Sequence, residues 1–311
     1  MNYFSIVLQQ IGIFMVYAII GVVAVKTHIL DRSGLNMMSR FITRVLLPLL
    51  VFTNTVNGTS RAQFLSAAFV ILISALLYLL LYLLAAVLAR VMRLEGNRKN
   101  IYRACTMFGN CGFIGIPIIT ALFPQNGGIY IAMYTVIDQL VLWTVGINLT
   151  SPAEGKTTIS AKERMRKMLN PAAVAVLLGV FFVLTEIRLP GILSTALSKT
   201  GAAASPLAMI YLGGVFCYIH IAEYFKRIEI FVMAAAKMLL LPCLVYAALS
   251  HVPAVSAEIA ATISILCGMP AMSSVAMMAE SQGSDSDYAA GMVFATTVFS
   301  IVTLPLICLV L

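Results

Sequence analysis

The sequence predicts an all-α integral membrane protein. Ten transmembrane helices are expected in two inverted five-helix repeats, with helices 4 and 9 broken near the midplane. Three observations lead there. Of 311 residues, 61% are hydrophobic and only 10% charged, whereas soluble domains carry about 25% charged residues. Ten apolar segments approach or reach the roughly 20 residues that a helix needs to cross the hydrocarbon core. Two of them, one in each half, carry a proline with a hydroxyl three residues on: Pro117 with Thr120, and Pro270 with Ser273.

The predicted spans are 4–25, 36–56, 64–90, 101–122, 128–149, 171–186, 197–217, 228–250, 256–279 and 287–310. Span 1 is kept as a true span because Met1-Asn2-Tyr3-Phe4 lacks the basic start of a signal peptide. Span 2 opens amphipathically, with Arg40 and Arg44 four residues apart on one helical face. Span 3 carries no charge from Phe64 to Leu88. Span 4 contains Gly109-Asn110-Cys111-Gly112-Phe113-Ile114-Gly115-Ile116-Pro117, and span 5 carries Asp138 near its middle. Span 6 is short, span 7 is rich in Ala, Gly and Ser, and span 8 holds Lys237. Span 9 contains Cys267-Gly268-Met269-Pro270 and span 10 opens near Tyr288.

Of the 20 Lys and Arg, 16 fall in alternate loops: around 26–44, 90–103, 156–167 and 226–227. The positive-inside rule makes those loops cytoplasmic and puts both termini outside a multi-pass cell-membrane protein. The net charge of +8 therefore reports orientation, not nucleic-acid binding. Residues 151–170 form a cytoplasmic linker between a first repeat, 1–150, and a second, 171–311. Five spans per half require the halves to be inverted. Pro48 with Pro206, Pro117 with Pro270 and Tyr130 with Tyr288 recur at offsets of 158, 153 and 158 residues.

Proline cannot donate a helical hydrogen bond, so Pro117 and Pro270 should free the carbonyls of Phe113 and Leu266. Backbone groups freed within lipid need partners, and paired interruptions point to a transporter binding site. If the second half-helices begin at Pro117 and Pro270, both aim positive dipole ends at the centre. With the hydroxyls of Thr120 and Ser273, they suit a small organic anion. Asp138 is a candidate proton carrier, since an acid inside a span usually faces a cavity. The plainer readings pair it with Lys237 or Gln139. Asn54, at the end of span 2, and Ser274 are further candidate site residues, and Thr296 and Thr297 either line the cavity or bond their own helix. The six cysteines show no metal spacing, and neither cofactor nor metal is expected. No Walker, HExxH or GxSxG motif occurs, so neither an ATPase nor an enzyme is expected.

These residues resemble the auxin efflux carrier family, which includes bacterial members and the plant PIN carriers. The likeness rests on Asn110-x4-Gly115-Ile116-Pro117, Pro270 followed by Ser273-Ser274-Val275-Ala276, Gln139-x3-Trp143 and Ser300-Ile301-Val302-Thr303-Leu304-Pro305-Leu306. It covers nearly the whole chain apart from the central loop. It implies a scaffold of helices 1, 2, 6 and 7, a transport domain of helices 3–5 and 8–10, and alternating-access transport of auxin, malonate or another carboxylate. It implies broken helices 4 and 9 crossing at the midplane, substrate contact by Asn110 and a homodimer through the scaffold helices. Gly115, Pro117, Gly268 and Pro270 complete the candidate site read from the two interruptions. Span 9 lacks an asparagine near Pro270, unlike the plant carriers, so a smaller, more polar carboxylate stands beside auxin. The rivals are a sodium-coupled organic-anion symporter and a membrane anion sensor that does not transport.

Overall fold

A computed structural model describes residues 3–57, 60–62, 69–153, 171–218 and 221–311. Most of the predicted linker and the start of span 3 lie outside those residues. The described chain is helical apart from turns and one isolated bridge. Six helices are long and apolar enough to cross a membrane: α1 (Tyr3–Lys26), α2 (Arg32–Val56), α3 (Phe69–Val91), α6 (Gly127–Leu149), α10 (Ile228–Ser250) and α13 (Ser286–Val310). The shorter ones, apart from the single turn Ile221–Tyr224, are α4 (Gly96–Met107), α5 (Cys111–Leu122), α7 (Pro171–Thr185), α8 (Gly191–Ala202), α9 (Ala204–Phe216), α11 (Ala257–Cys267) and α12 (Ser273–Ser281).

Local chemistry sets several ends. The Asp31 side chain caps α2 by accepting from Gly34 N at 2.7 Å, and Ser256 caps α11 by accepting from Ile259 N at 3.3 Å. Pro206 sits in the first turn of α9, where it separates α9 from α8. Val16, Ile19, Leu76, Leu79 and Val87 stay exposed on α1 and α3, as apolar faces do where lipid is the solvent.

Three prolines act in a way the sequence reading does not anticipate. Leu47 N bonds Ile42 O, Ile116 N bonds Cys111 O and Leu241 N bonds Ala236 O, each reaching five residues back. Each donor immediately precedes a proline: Pro48, Pro117 and Pro242. The proline ring crowds the turn before it, and a widened π-turn makes room without breaking the helix. A fourth π-turn, Leu142–Gly146 in α6, has no proline behind it.

The expected half-helix starts are therefore corrected. The chain is interrupted at Phe108–Asn110 and resumes at Cys111, six residues before Pro117. The second interruption runs from Gly268 to Met272, with Pro270 inside it and α12 beginning at Ser273. The two interruptions meet. Asn110 N donates to Pro270 O at 2.7 Å, Met272 N donates to Phe108 O at 2.9 Å, and Gly109 bridges Ala271. Gly109 is needed for this approach, since a Cβ there would lie 2.9 Å from the Cβ of Met269.

One set of helices, α1, α2, α7, α8 and α9, packs together, most closely where α1 crosses α9. A Cβ on Gly21 or Gly213 would lie 1.9 Å from the carbonyl oxygen of Ile210 or Ala18 respectively. A second set of contacts joins α3 to α4 and α6, α5 to α6, α10 to α11, and α13 to α4, α10 and α12.

Candidate functional site

The backbone groups freed at the two interruptions find partners from other helices. Ala271 N donates to Thr296 Oγ1 of α13 at 3.0 Å, and that hydroxyl donates onward to Met292 O at 2.8 Å. The ammonium of Lys237, only 1% exposed in the π-turn of α10, donates to Met269 O at 2.6 Å. Lys237 thus serves the interruption, and no bond joins it to Asp138. Leu266 O accepts long bonds, from Met269 N at 3.4 Å and from the Cys111 thiol at 4.0 Å.

Beside this junction lies a cavity of about 710 Å³. Its exposed rim includes Arg44, Pro171 and Ser281, and its buried end includes Asn110, Cys111 and Asp138. Three of the four π-turns contribute to the wall: Thr43 and Arg44 from α2, Cys111 to Phe113 from α5, and Leu142 and Trp143 from α6. Ser274, Met277 and Met278 of α12 close the remaining side.

Asn110 is 1% exposed and donates through Nδ2 to Ser273 Oγ at 3.3 Å, across 163 residues of sequence. Its Oδ1 is buried with no hydrogen-bond partner. Such an orphan costs about 1–3 kcal/mol, and in a native cavity it asks for a reason. Asp138, 2% exposed, has both oxygens occupied: Tyr78 Oη donates to Oδ1, and Gln139 Nε2 donates to Oδ2 at 2.9 Å. Further side chains extend this set of bonds. Tyr134 Oη donates to Tyr78 Oη at 3.2 Å, and Trp143 Nε1 donates to Gln139 Oε1 at 3.2 Å.

The structure brings Asn110, Ser273, Ser274, Asp138 and Pro270 to the junction or the cavity, Pro270 through its carbonyl. Other candidates stand apart from the cavity lining. Thr120 Oγ1 bonds its own helix at Ile116 O, 2.7 Å away, and Pro117 follows the π-turn. Gly115 lets Leu266 approach, and Gly268 lets Ile307 and Pro242 approach. Asn54 is half-buried near the end of α2 and is not part of the wall. The sequence reading passed over Tyr78, Tyr134 and the cavity role of Arg44. Tyr134 lies one helical turn before Asp138, and that spacing was the available signal for it.

Apolar membrane-length helices, interrupted segments that meet, and a cavity beside them with a few buried polar groups describe a multi-pass membrane transporter. The chain belongs to the membrane transport protein family, whose model matches residues 6–308. This is the auxin-efflux-carrier-like family that the span 4 and span 9 motifs resemble. It is also similar to an uncharacterized transporter of Methanothermobacter thermautotrophicus, with 25% identity over 295 residues covering 94% of each chain.

Proposed function

We propose that this protein is a secondary carrier that moves a small organic anion across the cell membrane by alternating access. The carrying observation is the orphaned, buried Oδ1 of Asn110 in a cavity formed where two interrupted segments meet. Ten crossings in two inverted repeats, 1–150 and 171–311, account for two such interruptions at comparable places in each half. The α1, α2, α7, α8 and α9 group acts as the scaffold and as the homodimer surface. The junction and its partner helices act as the transport domain. Asp138, reached through the cavity and held by Tyr78 and Gln139, carries the coupling proton. The cavity rim at Pro171 adjoins the basic linker, so the positive-inside rule reads this state as open to the cytoplasm.

The location of Lys237 weighs against sodium coupling. A sodium ion at the junction would need several oxygen ligands, and an ammonium already takes Met269 O there. The expected result is uptake that is unchanged when sodium is replaced by choline.

The test is counterflow in proteoliposomes against a panel of carboxylates chosen by thermal shift. Accelerated exchange of at least one of them supports the carrier. Ligand binding without counterflow makes the protein a sensor, and uptake that requires sodium makes it a symporter.

A further inference from the structure

We infer that Arg44 is the residue that anchors the carboxylate of the cargo. The inference rests on the organic-anion carrier reading and adds to it a recognition residue on the α2 wall.

Among the described residues that line the cavity, Arg44 is the only cation and Asp138 the only carboxylate. Asp138 does not serve as partner to Arg44, since it is buried and each of its oxygens already accepts a side-chain hydrogen bond. The ion pair recorded among the described residues is Arg98–Glu229, at the start of α4 and α10. Arg44 therefore presents a fork of five N–H donors to the cavity, and among the described residues no acid holds it. At the exposed rim of the cavity, Arg44 stands where an entering anion would meet it. Here the partner that fits is the planar carboxylate of the cargo, bound through two parallel hydrogen bonds.

The backbone explains why Arg44 and not its neighbour takes this place. Four residues apart on a regular helix, Arg40 and Arg44 would share one face. The π-turn Ile42–Leu46 shifts the register between them, and Arg44 lines the cavity while Arg40 does not. That π-turn is the one set by Pro48, so the aim of Arg44 is built into α2.

Position adds a consequence. Arg44 belongs to the helix group of α1, α2 and α7–α9, and Asn110 belongs to the junction held by α10 and α13. A cargo gripped by Arg44 at its carboxylate and reaching Asn110 touches both groups. Binding energy is then available to draw them together.

The experiment uses the reconstituted full chain, with counterflow of malonate and of indole-3-acetate measured beside their neutral amides. Arg44→Gln should raise the half-saturation concentration for the carboxylate roughly ten- to hundred-fold, the range for a hydrogen bond to a charged group. Arg44→Lys, which keeps the charge and loses the fork, should fall between. Arg40→Gln should behave as wild type, and weak binding of the amides should not change with Arg44. A monodisperse elution profile and an unchanged unfolding midpoint exclude misfolding. If Arg44→Gln does not fold, Arg44→Lys decides, with a several-fold loss expected. Wild-type half-saturation in the variant that decides, or an equal loss in Arg40→Gln, overturns the anchor and leaves the carrier standing. No exchange of either carboxylate by the wild-type protein removes the anion reading first, and the anchor with it.

Discussion

Replacing Thr296 by Val tests whether the junction depends on side chains that repair its backbone. Thr296 is fully buried, and its hydroxyl accepts from Ala271 N at 3.0 Å while donating to Met292 O at 2.8 Å. Valine keeps the shape and removes both functions. Met292 O retains its ordinary place in α13, but Ala271 N is left without an acceptor inside the protein. A buried donor without a partner costs about 1–3 kcal/mol, a substantial part of a total stability of about 5–15 kcal/mol. At about 2–4 °C per kcal/mol, the midpoint should fall by roughly 2–12 °C. Thr296→Ser keeps the hydroxyl and should lose less. The assay can use the protein's own thiols, since Cys105, Cys267 and Cys308 are buried away from the cavity and should add to the fluorogenic maleimide signal of the half-buried Cys217 and Cys243 on unfolding. A view based on burial alone gives the opposite order, because valine is the more apolar side chain. If Thr296→Val melts at or above wild type while Thr296→Ser melts lower, the satisfaction of Ala271 N does not hold the junction and the reasoning fails.

The other predictions concern the close approach and the proton path. Gly109→Ala places a methyl 2.9 Å from the Cβ of Met269 and 3.3 Å from Leu266 O, so it should cost about 1–3 kcal/mol. It should also weaken transport more than the equally small change Gly12→Ala, where a Cβ meets nothing within 4 Å. Thermal midpoints and counterflow of the two variants compare them directly. Asp138→Asn should abolish the pH dependence of uptake while leaving exchange of bound cargo measurable. A pH–rate profile that overlays wild type would remove Asp138 from the coupling role.

The membrane class and the spans of the long helices were legible because apolar length is a property of the chain alone. Tyr3–Lys26 lies within a residue of its predicted span, as does the start of Ser286–Val310. The two interruptions were legible only as regions. Proline announced that a hydrogen bond must be missing near Pro117, and the helix absorbed that loss with a five-residue step. The actual gap sits at Phe108–Asn110 because there the backbone finds new partners at Pro270 and Met272, a pairing settled in three dimensions. The partner of Lys237 was hidden for a related reason. A search for opposite charge points to Asp138, whereas the acceptor is a backbone carbonyl that exists only because the chain unwinds. Tyr78 lay in a run that reads as lipid-facing apolar helix, and nothing in its neighbours marks the hydroxyl that reaches Asp138.

The distribution of those repairs bears on how the site can move. The unwound segment of the second half is held by α10 through Lys237 and by α13 through Thr296, and it is bonded to the first interruption along Phe108 to Asn110. Separating any of these would strand a buried polar group at about 1–3 kcal/mol each, so the junction should travel with α10 and α13 as one piece. Across the cavity the contacts are of another kind. The hydroxyl of Ser39 on α2 meets the sulfur of Met277 on α12, and α1 lies against α13 and α5 through largely apolar side chains. A thioether is a weak acceptor, and apolar surfaces in lipid exchange one packing for another without leaving a polar atom bare. The molecule is thus bonded tightly within the junction and loosely across the cavity. On the proposed carrier reading, sliding along that loosely joined wall would carry Asn110 relative to Arg44 while keeping every repaired backbone group in place.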